Sequence, residues 1–272
     1  MAAAGQRFRR RLPALLALAV PVLAGLAYLA GFGAPRAYLA INAGALVLGL
    51  VWIGVGRMPG GSRVRRTLAI ILIVLFALPL LTGPEVNDVT RWLPLGPIVL
   101  HAGMITLPLL VVIAARAGED APPLLLAALL VAVLQPDAAS ALALTFACVG
   151  LHHASQDWRL GLAAIVAFIA AIVAALRGEL PAQPFVERVL VEAAFAEPLA
   201  ALALLAALVA SFFLILHAVP MERTARFGLA GSLFGFSVAA MVSNYPSALI
   251  GFGAAPILGY ALALANSHEP AR

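Results

Sequence analysis

The chain has 272 residues, of which 64% are hydrophobic and only 11% are charged, and its formal net charge is +5. Because a soluble domain carries roughly a quarter of charged residues, this composition excludes an ordinary soluble protein and favours an integral membrane protein. All basic residues are arginines in short segments between apolar runs, a pattern that indicates membrane topology and argues against nucleic-acid binding.

Apolar runs long enough to cross a bilayer recur along the chain. About 20 helical residues span the hydrocarbon core, and the absence of strict polar–apolar alternation favours helices over a barrel. We therefore predict an all-α integral membrane fold, a polytopic bundle of about ten transmembrane helices. In chain order the predicted spans are 12–33, 38–56, 67–82, 97–115, 122–135, 139–153, 160–176, 195–218, 227–243 and 247–265.

The first span follows four arginines, as a signal peptide would, but it is long and no clear cleavage site precedes a soluble domain. We therefore interpret it as a retained helix. With the N-terminus in the cytoplasm, 13 of the 17 arginines fall inside, which satisfies the positive-inside rule and predicts that both termini are cytoplasmic. No repeat or long linker divides the chain, so we expect one domain over residues 1–272. The pattern Gly231-x-x-x-Gly235 is typical of close helix packing.

Arg91 and Trp92 lie in the first polar outer loop, at the expected membrane surface. They could form an interfacial anchor, with the ring at headgroup level and the guanidinium solvated. Alternatively, a cation beside an aromatic face could bind a phosphate or sugar headgroup. The sequence leaves both interpretations open.

Asp137 lies in a second outer loop, between two apolar spans and directly after Pro136. Ionisable groups at such depth are costly and are often functional. The carboxylate could also cap the following helix by accepting from the amides of residues 139 and 140. The two roles are compatible.

A third outer segment, 177–198, carries the carboxylates of Glu179, Glu187, Glu192 and Glu197. Arg188 and Glu192 are four residues apart and could pair on a helix. Otherwise one glutamate could act as a base toward a substrate at the outer leaflet.

The five histidines are scattered, the adjacent pair His152 and His153 diverges on a helix, and Cys148 is the only cysteine. We predict no metal site, and the sequence does not identify a cofactor.

Two outer-loop stretches, VNDVTRWLPLGPI at 86–98 and LQPDAASAL at 134–142, resemble those of the SEDS family, the shape, elongation, division and sporulation proteins of the FtsW, RodA and SpoVE type. Residues 86–98, VNDVTRWLPLGPI, are similar to the family's VNGA-RWI-x-LG-x-I stretch. Residues 134–142, LQPDAASAL, resemble its LQPDLGTAL stretch about 40 residues downstream. Residues 251–258, GFGAAPIL, stand where the family has SYGGSS.

This resemblance implies a bacterial inner-membrane protein of cell division or cell shape. Members of the family are peptidoglycan glycosyltransferases that polymerise lipid II, a lipid-linked saccharide, and work with a class B penicillin-binding protein. By resemblance, Arg91, Trp92 and Gln135 would bind the substrate, and Asp137 and Glu187 would be the catalytic carboxylates.

The chain departs from the family in three places, and one of them is 251–258, which lacks the SYGGSS hydroxyls. The QPSELAK stretch is here 101–107, HAGMITL, without its Glu and Lys. The large fourth outer loop with its aspartate is shortened to about 177–197, where Glu187 is the nearest substitute. Three hypotheses follow: a divergent active polymerase, a catalytically inactive scaffold or lipid-binding protein with a SEDS-like fold, and a small membrane transporter or lipid flippase.

Overall fold

The computed structural model describes residues 2–56, 61–87, 89–96, 98–178 and 180–266. Its helices and its one hairpin follow in chain order: α1 (Ala2–Gly31), α2 (Arg36–Val55), α3 (Ser62–Ala77), α4 (Pro79–Thr82), β1 (Trp92–Leu95), β2 (Ile98–His101), α5 (Ala102–Ala114), α6 (Ala121–Leu134), α7 (Ala138–Ser155), α8 (Trp158–Arg177), α9 (Val189–Ala196), α10 (Pro198–Phe213), α11 (Arg223–Val242) and α12 (Ala254–Leu264). A 3₁₀ turn, Gly118–Asp120, precedes α6, and a π-helical turn, Leu214–Ala218, extends α10.

The predicted polytopic bundle of about ten helices is confirmed, since each predicted span contains a helix. Within the described residues, seven helical segments are long and apolar enough to cross a membrane: α1, α2, α3 with α4, α7, α8, α10 with its π turn, and α11. Helices α5 and α12 are apolar but shorter.

The fourth predicted span is wrong at its start, because residues 98–101 form a strand and the helix begins only at Ala102. Strands β1 and β2 pair antiparallel, with Trp92 opposite His101. Pro94 has no amide hydrogen for a helical bond, and Gly96 adopts a left-handed φ of 61° that suits a tight turn. Local backbone chemistry therefore makes a hairpin where average hydrophobicity predicts a helix.

Helices α7 and α11 approach so closely that their backbones are nearly in contact. A Cβ on Gly231 would overlap the carbonyl oxygen of Phe146, and one on Gly235 would overlap that of Leu142. From the other side, a Cβ on Gly150 would overlap the carbonyl oxygen of Phe227. The packing predicted from Gly231-x-x-x-Gly235 is confirmed.

Helix α8 packs its small side chains against the bundle and exposes its large apolar ones. Its small residues Ala163, Ala167, Ala171 and Ala174 are buried, whereas larger side chains such as Phe168 are exposed. Small side chains at the helix interface and large apolar ones outward are expected of a helix that faces lipid. This is a multi-pass membrane protein.

Candidate functional site

Three loops meet at one end of the bundle and build the candidate site. They are the β1–β2 hairpin, the segment before α9, and the segment between α11 and α12. The amide of Ser247 donates to the carbonyl of Val186 at 2.8 Å, and a short β-bridge joins Glu187 to Pro246. The amide of Ala102 donates to the carbonyl of Arg91 at 3.0 Å, which fixes the hairpin to the start of α5.

These loops enclose a cavity of about 330 Å³ whose lining includes Trp92, His101, Glu187, Phe252 and Gly253. Trp92 and His101 reach it together because they are cross-strand partners in the hairpin, and partners of this kind project from the same face. The structure thus places two of the predicted site residues, Trp92 and Glu187, in one cavity.

Glu187 supplies a carboxyl group to this cavity while being only 6% exposed. Its Oε2 accepts a hydrogen bond from the amide of Gln183 at 2.7 Å. Burial raises the pKa of Glu187, and the Gln183 hydrogen bond and the positive charge of Arg91 oppose that rise. A carboxylate in an apolar cavity with a raised pKa is suited to accepting a proton.

Arg91 lies behind the cavity wall rather than in the lining. Its guanidinium carbon is 4.9 Å from the Trp92 ring centre and 4.6 Å from that of Tyr245, and the residue is 1% exposed. Its Nε and Nη1 atoms make no hydrogen bond within the described structure. The interpretation of Arg91 as a solvated interfacial anchor is therefore wrong, because two aromatic faces and burial replace water around the cation.

Asp137 is fully buried and is the N-cap of α7. Its Oδ1 accepts from the amide of Ser140 at 3.1 Å and its Oδ2 accepts from the Ser140 hydroxyl at 2.5 Å. The predicted cap is confirmed at residue 140. The same Oδ2 lies 3.6 Å from Nε2 of His101, so the cap also faces the cavity-lining histidine.

Gln135 is buried but does not line the cavity. Its Nε2 donates to the carbonyl of Phe76 at 2.6 Å, which ties the end of α6 to α3. Gln135 is close to Asp137 in the sequence, but its side chain points to a neighbouring helix and not to the cavity.

His101 and Tyr245 are site residues that the sequence did not single out. Nδ1 of His101 accepts from the amide of Met104 at 3.3 Å and caps α5, so Nε2 carries the hydrogen that faces Asp137. The Tyr245 hydroxyl accepts from the amide of Ala138 at 3.2 Å, and its ring packs on Arg91. His101 stands at the first position of the QPSELAK-like stretch, which was the available signal, whereas the segment around Tyr245 offered none.

The Asn42 side chain holds the backbone of residues 251–253, which stand where the family has SYGGSS. Asn42 on α2 donates to the carbonyl of Gly251 at 2.9 Å and accepts from the amide of Gly253 at 3.0 Å. The Phe252 ring stacks on Tyr38 with centroids 3.7 Å apart. A buried asparagine in an apolar helix is costly unless its hydrogen bonds are satisfied, and here it fixes one wall of the cavity.

Two further sequence hypotheses concern the region around the site. No ion pair joins Arg188 to Glu192 among the described residues; the Arg188 backbone is left-handed at φ 53°, and its carbonyl accepts from the Glu192 amide. Within the same residues no group of three or more His, Cys, Asp or Glu side chains is arranged to hold a metal ion. Glu179 lies outside the described residues.

The architecture matches solved structures over nearly its whole length. A mutant of the rod shape determining protein RodA of Thermus thermophilus superposes with a TM-score of 0.65 at 22% identity, with 92% of this chain and 93% of that chain covered. The RodA structure without the mutation gives 0.63 at 18% identity, covering 92% of each chain. This chain has the fold of RodA. The SEDS-type fold predicted from the outer loops is thereby confirmed.

A third solved structure to which this chain is similar belongs to a peptidoglycan synthase complex that coordinates polymerization and crosslinking. It superposes with a TM-score of 0.61 at 21% identity, with 92% of this chain and 95% of that chain covered. No protein-family model and no curated protein matches the sequence.

Proposed function

We propose that this chain polymerises a lipid-linked saccharide of the lipid II type at the outer leaflet, as part of peptidoglycan synthesis in cell division or cell shape. In this proposal it resides in the bacterial inner membrane with both termini cytoplasmic, and residues 1–272 act as one SEDS-like transmembrane unit. A class B penicillin-binding protein is the proposed partner, in analogy with the complex that couples polymerization to crosslinking.

The observation that carries the proposal is the position of Glu187. Its carboxyl group lines the same cavity as Trp92, and the positive charge of the buried Arg91 favours its ionised form. Glu187 was the nearest substitute for the missing loop aspartate, and the short loop that holds it reaches the cavity through its bridge to Pro246.

The chemistry requires a base, a sugar-binding surface and compensation of the leaving group's charge. A saccharide hydroxyl attacks the anomeric carbon of the lipid diphosphate sugar, and Glu187 accepts the hydroxyl proton. The bond from the anomeric carbon to the diphosphate oxygen breaks, and the diphosphate leaves with the electron pair. In this arrangement Trp92 packs on a sugar face, while Arg91 supplies positive potential through the wall.

Asp137 then acts as a positioning residue rather than as the base. Both of its carboxylate oxygens accept from Ser140, and its Oδ2 lies 3.6 Å from Nε2 of His101, which is too long for a hydrogen bond. In this proposal the negative charge of Asp137 orients the histidine ring that forms part of the cavity lining.

A catalytically silent lipid-binding protein is the second candidate, and one observation favours it. Among the described residues the cavity lining contains no arginine or lysine, so no cation contacts a diphosphate there directly. The transporter hypothesis gains no comparable support, because Asp137, the residue that suggested it, is a helix cap at a span edge.

Polymerisation of purified lipid II, read as a glycan ladder on a gel with and without a class B penicillin-binding protein, tests the proposal. The wild type should form a ladder, and Glu187→Gln should abolish it while leaving the folded protein in place. Arg177→Gln, an exposed change at the end of α8, is the matched control that should keep the ladder. Wild-type protein without a ladder, under conditions where a conventional SEDS polymerase works, would overturn the polymerase proposal and favour the silent candidate, whose lipid or partner binding is then measured.

A further inference from the structure

A second polar cavity, of about 420 Å³, lies at the end of the bundle opposite the candidate site. Helix α5 connects the two places, since it starts beside His101 and ends next to Arg116 after 13 residues, roughly 20 Å of helix. The charge asymmetry of the loops predicts that this end faces the cytoplasm.

Four arginines from two elements line this basic cavity, and they outnumber the acidic groups. Arg63, Arg65 and Arg66 come from the first turns of α3, and Arg116 follows α5; within the described part of the chain, Asp120 is the one carboxylate in the lining. The Arg116 side chain is 6% exposed, with its Nε 3.7 Å from Oε2 of Glu222. The cavity therefore keeps a clear positive excess and includes a cation that is largely removed from water.

The arginines at the start of α3 have the charge opposite to the one that the N-terminal end of a helix prefers. The positive end of a helix dipole favours acidic residues in the first turn, yet α3 has none there and Gly61 provides no side-chain cap. Arginines beside uncapped amides repel that end unless an anion lies between them. The helix end alone does not define a site; the cavity with its four arginines does, and the buried Arg116, paired with Glu222, forms part of its wall.

The wall of the basic cavity also has an apolar side, formed by Ile113 and Leu124. Guanidinium groups next to aliphatic side chains fit a ligand with a phosphate and an adjoining hydrocarbon part. We propose that this basic cavity binds a phosphate group, which either an anionic phospholipid headgroup or a free phosphate anion could present. The proposal is independent of the reaction assigned to the opposite end.

The test uses the full-length protein in a neutral detergent at constant ionic strength. Its thermal unfolding is followed while short-chain phosphatidylglycerol, short-chain phosphatidylcholine or inorganic phosphate is added. The double variant Arg63→Gln/Arg66→Gln changes two exposed side chains, so the fold is retained. The double variant Arg36→Gln/Arg177→Gln removes two exposed arginines near the opposite end and is the matched control.

Phosphatidylglycerol should raise the unfolding temperature of the wild type and of the control. Its apparent affinity for Arg63→Gln/Arg66→Gln should be roughly tenfold or more weaker, since each arginine near an anionic surface contributes about fivefold. Stabilisation by phosphatidylglycerol alone assigns the phosphate to a lipid, and equal stabilisation by inorganic phosphate assigns it to a soluble anion. Equal effects of phosphatidylcholine, or equal affinity in the two double variants, would overturn the proposal.

Discussion

The buried carboxyl group of Glu187 makes stability depend on pH. Burial raises its pKa above the ordinary value of 4.5, so the native state keeps the proton to a higher pH than the unfolded chain does. Stability is therefore greatest below the ordinary pKa and is lost as pH rises through the raised pKa. Glu187→Gln should be more stable than the wild type at neutral pH, and the difference should vanish near about pH 4. Thermal unfolding in detergent across that range measures it; a pH-independent difference would contradict the assignment.

Polymerisation activity should increase as Glu187 loses its proton, whereas stability should decrease. A base must be deprotonated, so the rate of lipid II polymerisation should rise as pH increases through the raised pKa of Glu187. Glu187→Asp, which keeps a carboxylate but shortens its reach, should retain a weaker activity with the same pH trend. A pH-independent rate in the wild type would remove Glu187 from the role of base.

His101 combines a capping role with a site role, and two variants separate them. His101→Ala removes the N-cap of α5 and should cost about 1 kcal/mol of stability. His101→Asn can still cap the helix, but its shorter side chain loses the contact with Asp137. We expect both variants to lose activity and only the alanine variant to lose stability, as measured by thermal unfolding and glycan ladders. Full activity in His101→Asn would show that the histidine acts only as a cap.

At the scale of single residues, the sequence predicted the positions of some side chains but not the orientations of others. Trp92 and Glu187 do line the cavity, and Asp137 does cap α7. The burial of Arg91 could not be predicted, because it depends on Tyr245, 154 residues later in the chain. The direction of the Gln135 side chain depends in the same way on a carbonyl of α3.

Helix packing at the α7–α11 seam, defined by Gly150, Gly231 and Gly235, depends on the absence of side chains. Gly231→Ala would place a methyl group on the carbonyl oxygen of Phe146, and overpacking of this kind costs about 1–3 kcal/mol. The matched control is Gly44→Ala in α2, where a Cβ meets nothing within 4 Å and the helix gains roughly 0.5–1 kcal/mol. The unfolding temperature should fall in the first variant and be unchanged or higher in the second. Equal effects would show that the seam tolerates side chains.

Elements were predictable where apolar runs are long and uniform, as in α1, α2 and α8. The error at residues 98–101 arose because these residues are as apolar as the helix that follows them. Hydrophobicity averaged over a window does not distinguish an apolar strand from an apolar helix. Cross-strand pairing with Trp92 and the left-handed Gly96 decide the outcome there, and neither is contained in average hydrophobicity.

For the whole molecule, the distribution of arginines predicts which end of the bundle faces outward. Cys148 is buried at 1% exposure, so in a Cys148→Ala background single cysteines report on topology. Leu95→Cys, in the exposed hairpin, should react with an impermeant maleimide on intact cells. Glu119→Cys, at the end that holds the basic cavity, should react only after the membrane is permeabilised. The reverse pattern would invert the proposed orientation and place Glu187 in the cytoplasm.

The α7–α11 seam also has a consequence for motion. At Gly150, Gly231 and Gly235 the two backbones are nearly in contact and no side chain separates them, so α7 and α11 should move as one rigid body. Asp137 lies at one end of that body and Tyr245 directly follows it, and the Tyr245 hydroxyl bonds back to Ala138. If the cavity widens, the change should therefore come from the other elements that line it, namely the hairpin, the segment before α9 and the start of α12, and not from separation of α7 and α11.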